Sequence, residues 1–270
     1  MMQTILPRYK TSNNLAYYKV GQGPLILMLH GVGLRIESWT AQIEFLSKNF
    51  TVIAIDLPGH GESSNLASSQ IGIAPYVEQV SLFIEELIQE KFIIIGHSLG
   101  ALIAINFAAQ FNHKCHAVIA LNCIYQRSDE AMKQVQLRAK KIGLREIEEV
   151  AEATVERWFG KNSSDQLADI CYQWLQDCNI EGYIKAYNAF ANVRGASDSL
   201  LALNNLPVAF ITGTLDTNST IAMSQNMAKE CLKGTAKVVC GAGHMAQMSH
   251  STEINRLIES FISTIKLRTS

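Results

Sequence analysis

Short apolar runs recurring between longer amphipathic stretches constrain this chain more than any other feature. Residues 25–29, 51–55, 92–95, 117–121, 207–211 and 236–239 (with Cys240) are brief, rich in β-branched side chains and apolar at nearly every position. A strand reads that way when both of its faces are covered, as in a parallel sheet between helix layers. The intervening residues 38–50, 75–89, 99–111, 219–232 and 251–266 carry apolar side chains at helical spacing. Alternation of this kind predicts an α/β fold with a doubly wound, mostly parallel sheet. Residues 15–20 alternate weakly and predict an early edge strand, closed by the turn Gly21-Gln22-Gly23-Pro24.

The alternation lapses between Cys123 and Asn205. That stretch predicts four helices, over 128–142, 144–159, 164–177 and 180–193, with Ser163-Ser164-Asp165-Gln166 as a capping box opening the third. The expected organisation is a core built from 1–122 and 206–270 with an all-helical cap, 123–205, inserted over the strand ends. Ligands in such sheets sit at the carboxyl ends of the strands, so a cap there shapes a pocket.

Charge and cysteine usage narrow the function classes. With 23 Lys and Arg against 24 Asp and Glu, no basic excess points to nucleic acid or an anionic membrane. The apolar runs are too short to span a bilayer, and residues 1–10 lack the charged-then-apolar pattern of a secretory signal. The six cysteines are scattered without metal-ligand spacing, as expected of small buried residues in a reducing compartment. His113, Cys115 and His116 have no flanking carboxylate or second cysteine and read as a solvated helix-to-strand turn rather than a metal site. A cytoplasmic protein with a small-molecule partner is the expectation.

Chemistry concentrates at the strand ends. Gly96-His97-Ser98-Leu99-Gly100 lies between the run 92–95 and the helix that follows. A strand–turn–helix elbow forces its serine into a strained conformation clear of the sheet, within reach of a base, and the flanking glycines admit close backbone. His30-Gly31-Val32-Gly33 follows the first core run. Its Val32 N–H, with that of Leu99 at the helix start, supplies the two donors an oxyanion requires. For the base, His244 in Gly241-Ala242-Gly243-His244-Met245 precedes the final helix, whereas His250 reads as capping chemistry. For the acid, Asp216 lies just past the run 207–211, with Asp129 as an alternative beyond the preceding strand. The order Ser98, Asp216, His244 is nucleophile, acid, base.

These motifs, together with Leu29-His30-Gly31-Val32-Gly33, Ser38-Trp39 and Asp56-Leu57-Pro58-Gly59-His60-Gly61-Glu62-Ser63, resemble the α/β-hydrolases with a helical cap. Within them the chain is most similar to 3-oxoadipate enol-lactonases and related small esterases. Glu156-Arg157-Trp158-Phe159, Gly182-Tyr183 through Arg194, and Ala222-Met223-Ser224 carry that likeness. The resemblance implies a serine hydrolase of a small ester or lactone, acting through an acyl-enzyme and needing neither cofactor nor metal. Carbon–carbon hydrolases of the same superfamily often carry Asn where this chain has His97, which disfavours them. The same fold and triad would also serve a thioesterase or a hydrolase-fold signal receptor. His30, Gly31, Arg157, Trp158, Arg194 and Met245 are the candidate substrate-binding residues. A free carboxylate on the substrate would call for a guanidinium fork, from Arg157 or Arg194. Trp158, Phe159 and Tyr183 either line the pocket or pack the cap.

Overall fold

The computed structural model describes residues 5–144, 146–159 and 166–267. Its strands are β1 (Tyr9–Lys10), β2 (Ala16–Val20), β3 (Leu25–Leu29), β4 (Thr51–Ile55), β5 (Phe92–His97), β6 (Cys115–Leu121), β7 (Val208–Gly213) and β8 (Gly234–Val239). They form one sheet in the order β1-β2-β4-β3-β5-β6-β7-β8. From β4 to β8 every pairing is parallel, while β1 and β2 run antiparallel at one end. The expected edge strand is therefore second from the edge, because the two-residue β1 pairs outside it. The last run departs from expectation too. β8 closes the other edge and alternates between exposed and covered positions, so helices do not cover both of its faces.

The central strands are buried at every position, as their unbroken apolar sequences require. Alternate side chains feed two cores. Leu25, Leu27, Leu29, Phe92 and Ile94 enter one, and Ile26, Met28, Ile93 and Ile95 the other. The first face is covered by α2 (Ala74–Leu87) and α3 (Leu99–Gln110), the second by α1 (Thr40–Leu46) and the carboxyl-terminal helix, α11 (Ser251–Ile262). α3 is apolar around nearly its whole circumference and correspondingly buried.

Between β6 and β7 the chain forms α4 (Asp129–Ile142), α5 (Ile147–Phe159), α6 (Gln166–Gln176), α7 (Ile180–Ala191) and the single turn α8 (Ser197–Leu200). Ser128 and Asn179 cap α4 and α7 by accepting from Ala131 N and Gly182 N. The capping box expected for α6 falls on residues 163–165, outside the described residues. At the start of α7, Gly182 sits directly on Gly59 of the loop after β4. A Cβ built on Gly182 would lie 2.2 Å from Gly59 O. After β7 come α9 (Ile221–Glu230) and, following β8, the short α10 (Ala246–Ser249).

Candidate active site

Because β3, β5, β6, β7 and β8 are parallel, their carboxyl ends open on one edge of the sheet. The segments following those strands carry Val32, Ser98, Asn122, Asp216 and His244 respectively. Ser98 follows β5 with φ +54°, a left-handed conformation that a residue with a side chain adopts only under local constraint. Its N–H donates to Leu121 O at 2.9 Å, and its carbonyl accepts from Ala101 and Leu102 of α3. Close backbone contact explains the flanking glycines. A Cβ on Gly96 would stand 2.2 Å from Gly100 O, and one on Gly100 would stand 2.2 Å from Leu29 O.

Held there, Ser98 Oγ lies 3.2 Å from His244 Nε2, and His244 Nδ1 lies 2.8 Å from Asp216 Oδ2. Asp216 Oδ1 accepts the N–H groups of Asn218 and Ser219, and Oδ2 also accepts from Asn122 Nδ2 at 2.7 Å. Burial alone would raise the Asp216 pKa. The charge and hydrogen bond of His244, with the Asn122 and Ser219 donors, outweigh it and hold the carboxyl well below its usual range. The group is thus a stable anion under the imidazole. Sequence reasoning misses Asn122, which sits at φ +50°. An Asn directly after a core strand, a residue type that tolerates this conformation, is the signal that could have found it.

His97 packs against the His244 ring with centroids 5.0 Å apart and donates from Nε2 to the His244 carbonyl at 2.8 Å. Burial, reinforced by the neighbouring His244, pushes its pKa down to about 3, so it is a neutral, fixed tautomer. The N–H groups of Val32 and Leu99 donate to no protein acceptor among the described residues. Such an arrangement can activate a hydroxyl and offer donors to a developing anion.

Residues 24–189 match the family model described as the alpha/beta hydrolase fold. The chain belongs to the α/β-hydrolase family. It is 31% identical over 261 residues to the (E)-2-((N-methylformamido)methylene)succinate hydrolase of Acinetobacter baylyi, covering 94% of this chain and 96% of that one. A thermophilic esterase from Thermogutta terrifontis superposes with a TM-score of 0.84 at 23% identity, covering 96% of this chain and 98% of the esterase. The enol-lactonase of Burkholderia xenovorans gives 0.82 at 21%, covering 95% and 100%. These two share the fold.

In this α/β-hydrolase a cleft opens above Ser98, walled on the core side by Gly31, Val32 and His244 and on the other by residues of α4, α5 and α7. Arg157 and Trp158 line it, together with Tyr183. Phe159 instead packs beside Leu34, Trp174 and Met245.

Three expected substrate contacts are elsewhere. His30 is fully buried, with Nδ1 bonded to Gly31 O and Nε2 accepting the Leu57 N–H at 2.9 Å. It fixes the loop that carries Val32 rather than facing the cleft. His60 does the same, accepting the Gly33 N–H at 3.0 Å. Met245 is a buried core side chain, packed with Leu34, Cys171 and Trp174. Arg194 pairs with Asp129 on the surface, both side chains half-exposed or more, which also removes Asp129 from the vicinity of His244 as an alternative acid. The side chain of His250 bonds Ser249 Oγ and caps no helix. Arg138 of α4, not anticipated from the sequence, lines the cleft beside Arg157.

Proposed function

We propose that this protein is a serine hydrolase cleaving an ester or lactone bond in a small substrate that carries a carboxylate. The observation that carries the reading is the hydrogen-bonded chain from Ser98 Oγ through His244 to Asp216, seated on a strained elbow at the mouth of the cleft. His244 Nε2 takes the proton as Ser98 attacks the acyl carbon, and Asp216 stabilises the imidazolium that results. The N–H groups of Val32 and Leu99 receive the oxyanion. Collapse expels an alkoxide or enolate, which takes its proton from His244 Nε2, and water repeats the sequence to release the acid. Asn122, through its amide on Asp216, is a positioning residue.

Arg157 supports the carboxylate. It lines the cleft and has no carboxylate of the protein within ion-pair distance among the described residues. The relative from Acinetobacter baylyi, named for a substituted succinate, acts on an acid as well. His97 before the serine, bonded to the His244 carbonyl, supports ester chemistry over carbon–carbon cleavage.

The test is a fluorophosphonate label followed by a screen of esters, lactones, thioesters and dienones. Labelling at Ser98 that disappears in S98A, with ester or lactone turnover reduced about 10⁴-fold in D216N, is the expected result. Labelling that persists in S98A overturns the assignment. Preferred turnover of a dienone or thioester by the same serine overturns the choice of bond.

A further inference from the structure

α4 packs on α7 and α5 on α6. Between α4 and α5 lies a second chamber of about 550 Å³, its mouth included. Arg138, Lys141 and Ile142 line it from α4, spaced i, i+3 and i+4 so that they share one helix face. Val150, Ala153, Thr154 and Arg157 face them from α5 at i, i+3, i+4 and i+7. Arg138, Thr154 and Arg157 border the catalytic cleft as well, so the two spaces share a wall.

That wall is cationic and carries no carboxylate among the described residues. No Asp or Glu lines either space among the described residues, and neither arginine has a carboxylate in reach there. Arg138 makes one long bond, to Tyr187 Oη at 3.4 Å. Arg157 donates to Ala153 O and Thr154 Oγ1. A guanidinium has five N–H donors, so most remain unused on both. Burial lowers the Arg157 pKa most; Arg138 lowers it further, while Tyr187, Tyr183 and the exposed Glu156 act against the shift. Two like charges facing one wall are unfavourable until an anion stands between or beside them. A single carboxylate on Arg157 leaves Arg138 and Lys141 unmatched.

We propose that the chamber between α4 and α5 is a subsite for a second acid group, held by Arg138 and Lys141, so that the preferred substrates are dianions. The proposal rests on the hydrolase reading for the position of the scissile bond: acyl carbon at Ser98, first carboxylate at Arg157, second beyond the wall. A planar carboxylate suits the Arg138 fork, and Lys141 adds a point charge at the mouth.

Two measurements test it together. The first compares kcat/KM for nitrophenyl esters of butyrate, succinate and tricarballylate, which carry zero, one and two free carboxylates. The dianion is expected to exceed the monoanion at least tenfold. In R138M the ratio of dianion to neutral ester should fall at least tenfold, with R138K restoring part of it. The second titrates the S98A protein calorimetrically with tricarballylate and with butyrate. Tricarballylate should bind at least a hundredfold tighter, and the difference should fall at least tenfold in S98A/R138M/K141M, which keeps Arg157 and whose far-ultraviolet spectrum and melting point verify its fold. Equal handling of monoanion and dianion, or an unchanged preference in the R138M and K141M variants, overturns the subsite while ester turnover keeps the hydrolase reading. Tricarballylate binding that needs Arg138 and Lys141, with no ester turned over, keeps the subsite and overturns the hydrolase reading.

Discussion

Arg8 and Arg157 are both drawn out of solvent, and they are held in opposite ways. Arg8 reaches under the loop after β3, where its side chain is 2% exposed, and grips Glu37 through two nitrogens at 2.8 and 2.7 Å and Asp56 at 2.9 Å. Burial opposes its charge, but the two carboxylates overcome that and raise its pKa. Asp56 also accepts the N–H groups of Ile36 and Glu62, so the pair ties the amino-terminal segment to two loops. Arg157 meets burial with a hydroxyl and a carbonyl, and its pKa is lowered. The core completes its own charges. In the inserted helices, Arg138 and Arg157 face the cleft with no carboxylate beside them among the described residues.

The contrast predicts different costs for the same substitution. R8M leaves buried Asp56 with no cation and Glu37 with only the partly exposed Arg35, and should destabilise the protein by about 3–5 kcal/mol, measured by urea titration. A loss below about 1 kcal/mol would mean that the network is solvated and that the two arginines are alike after all.

Acid sharpens the comparison within the core. Glu37 is held down to about 2, so its contribution is complete above its ordinary range near 4.5 and is lost as pH falls from there to about 2. His97, pushed down to about 3, contributes fully above about 6.5 and loses stability progressively as pH falls below that. His30 and His60, both lowered by burial, act with the same sign. Between pH 6.5 and 4.5 it is therefore the histidines that weaken the fold, with His97 alone accounting for about 2 kcal/mol at pH 5. H97Q should flatten the pH dependence of the urea midpoint in that window. An unchanged slope would place the destabilising proton elsewhere.

The smallest effect belongs to the open side. R157M orphans no carboxylate, so its stability should stay within about 1 kcal/mol of the parent. Its kcat/KM for a monoanionic ester, relative to a neutral one, should fall about tenfold, or about 1.4 kcal/mol. A stability loss as large as that of R8M would show Arg157 to be architecture and remove the asymmetry.

What could be read from the sequence follows the same division. The strands announce themselves because burial on both faces leaves only apolar residues, and parallel strands then place the residues just beyond them on one edge. Ser98, Asp216 and His244 are legible for that reason. β8 misleads because Val238, Val239 and Cys240 are apolar in a row, yet they belong to a half-exposed edge. His30 misleads because a histidine in the loop after β3 looks the same whether it faces a ligand or staples Leu57. Among the inserted helices the periodicity gives the helices but not their relative rotation. Arg138, Arg157 and Arg194 are equivalent charges on amphipathic helices or their ends, and only the packing shows that two face the cleft and the third faces Asp129.

The contact of Gly182 with Gly59 links these two regions mechanically. The loop bearing Gly59 also bears His60, whose ring holds the N–H of Gly33, the neighbour of Val32. The start of α7, the histidine and the donor loop are therefore successive arms of one lever, with its fulcrum where two backbones touch. A single methyl group at position 182 is a wedge beneath that lever. It touches no substrate, yet the displacement it forces is delivered through His60 to the loop beside Ser98, which makes a remote glycine one of the positions where sequence drift is least forgiving.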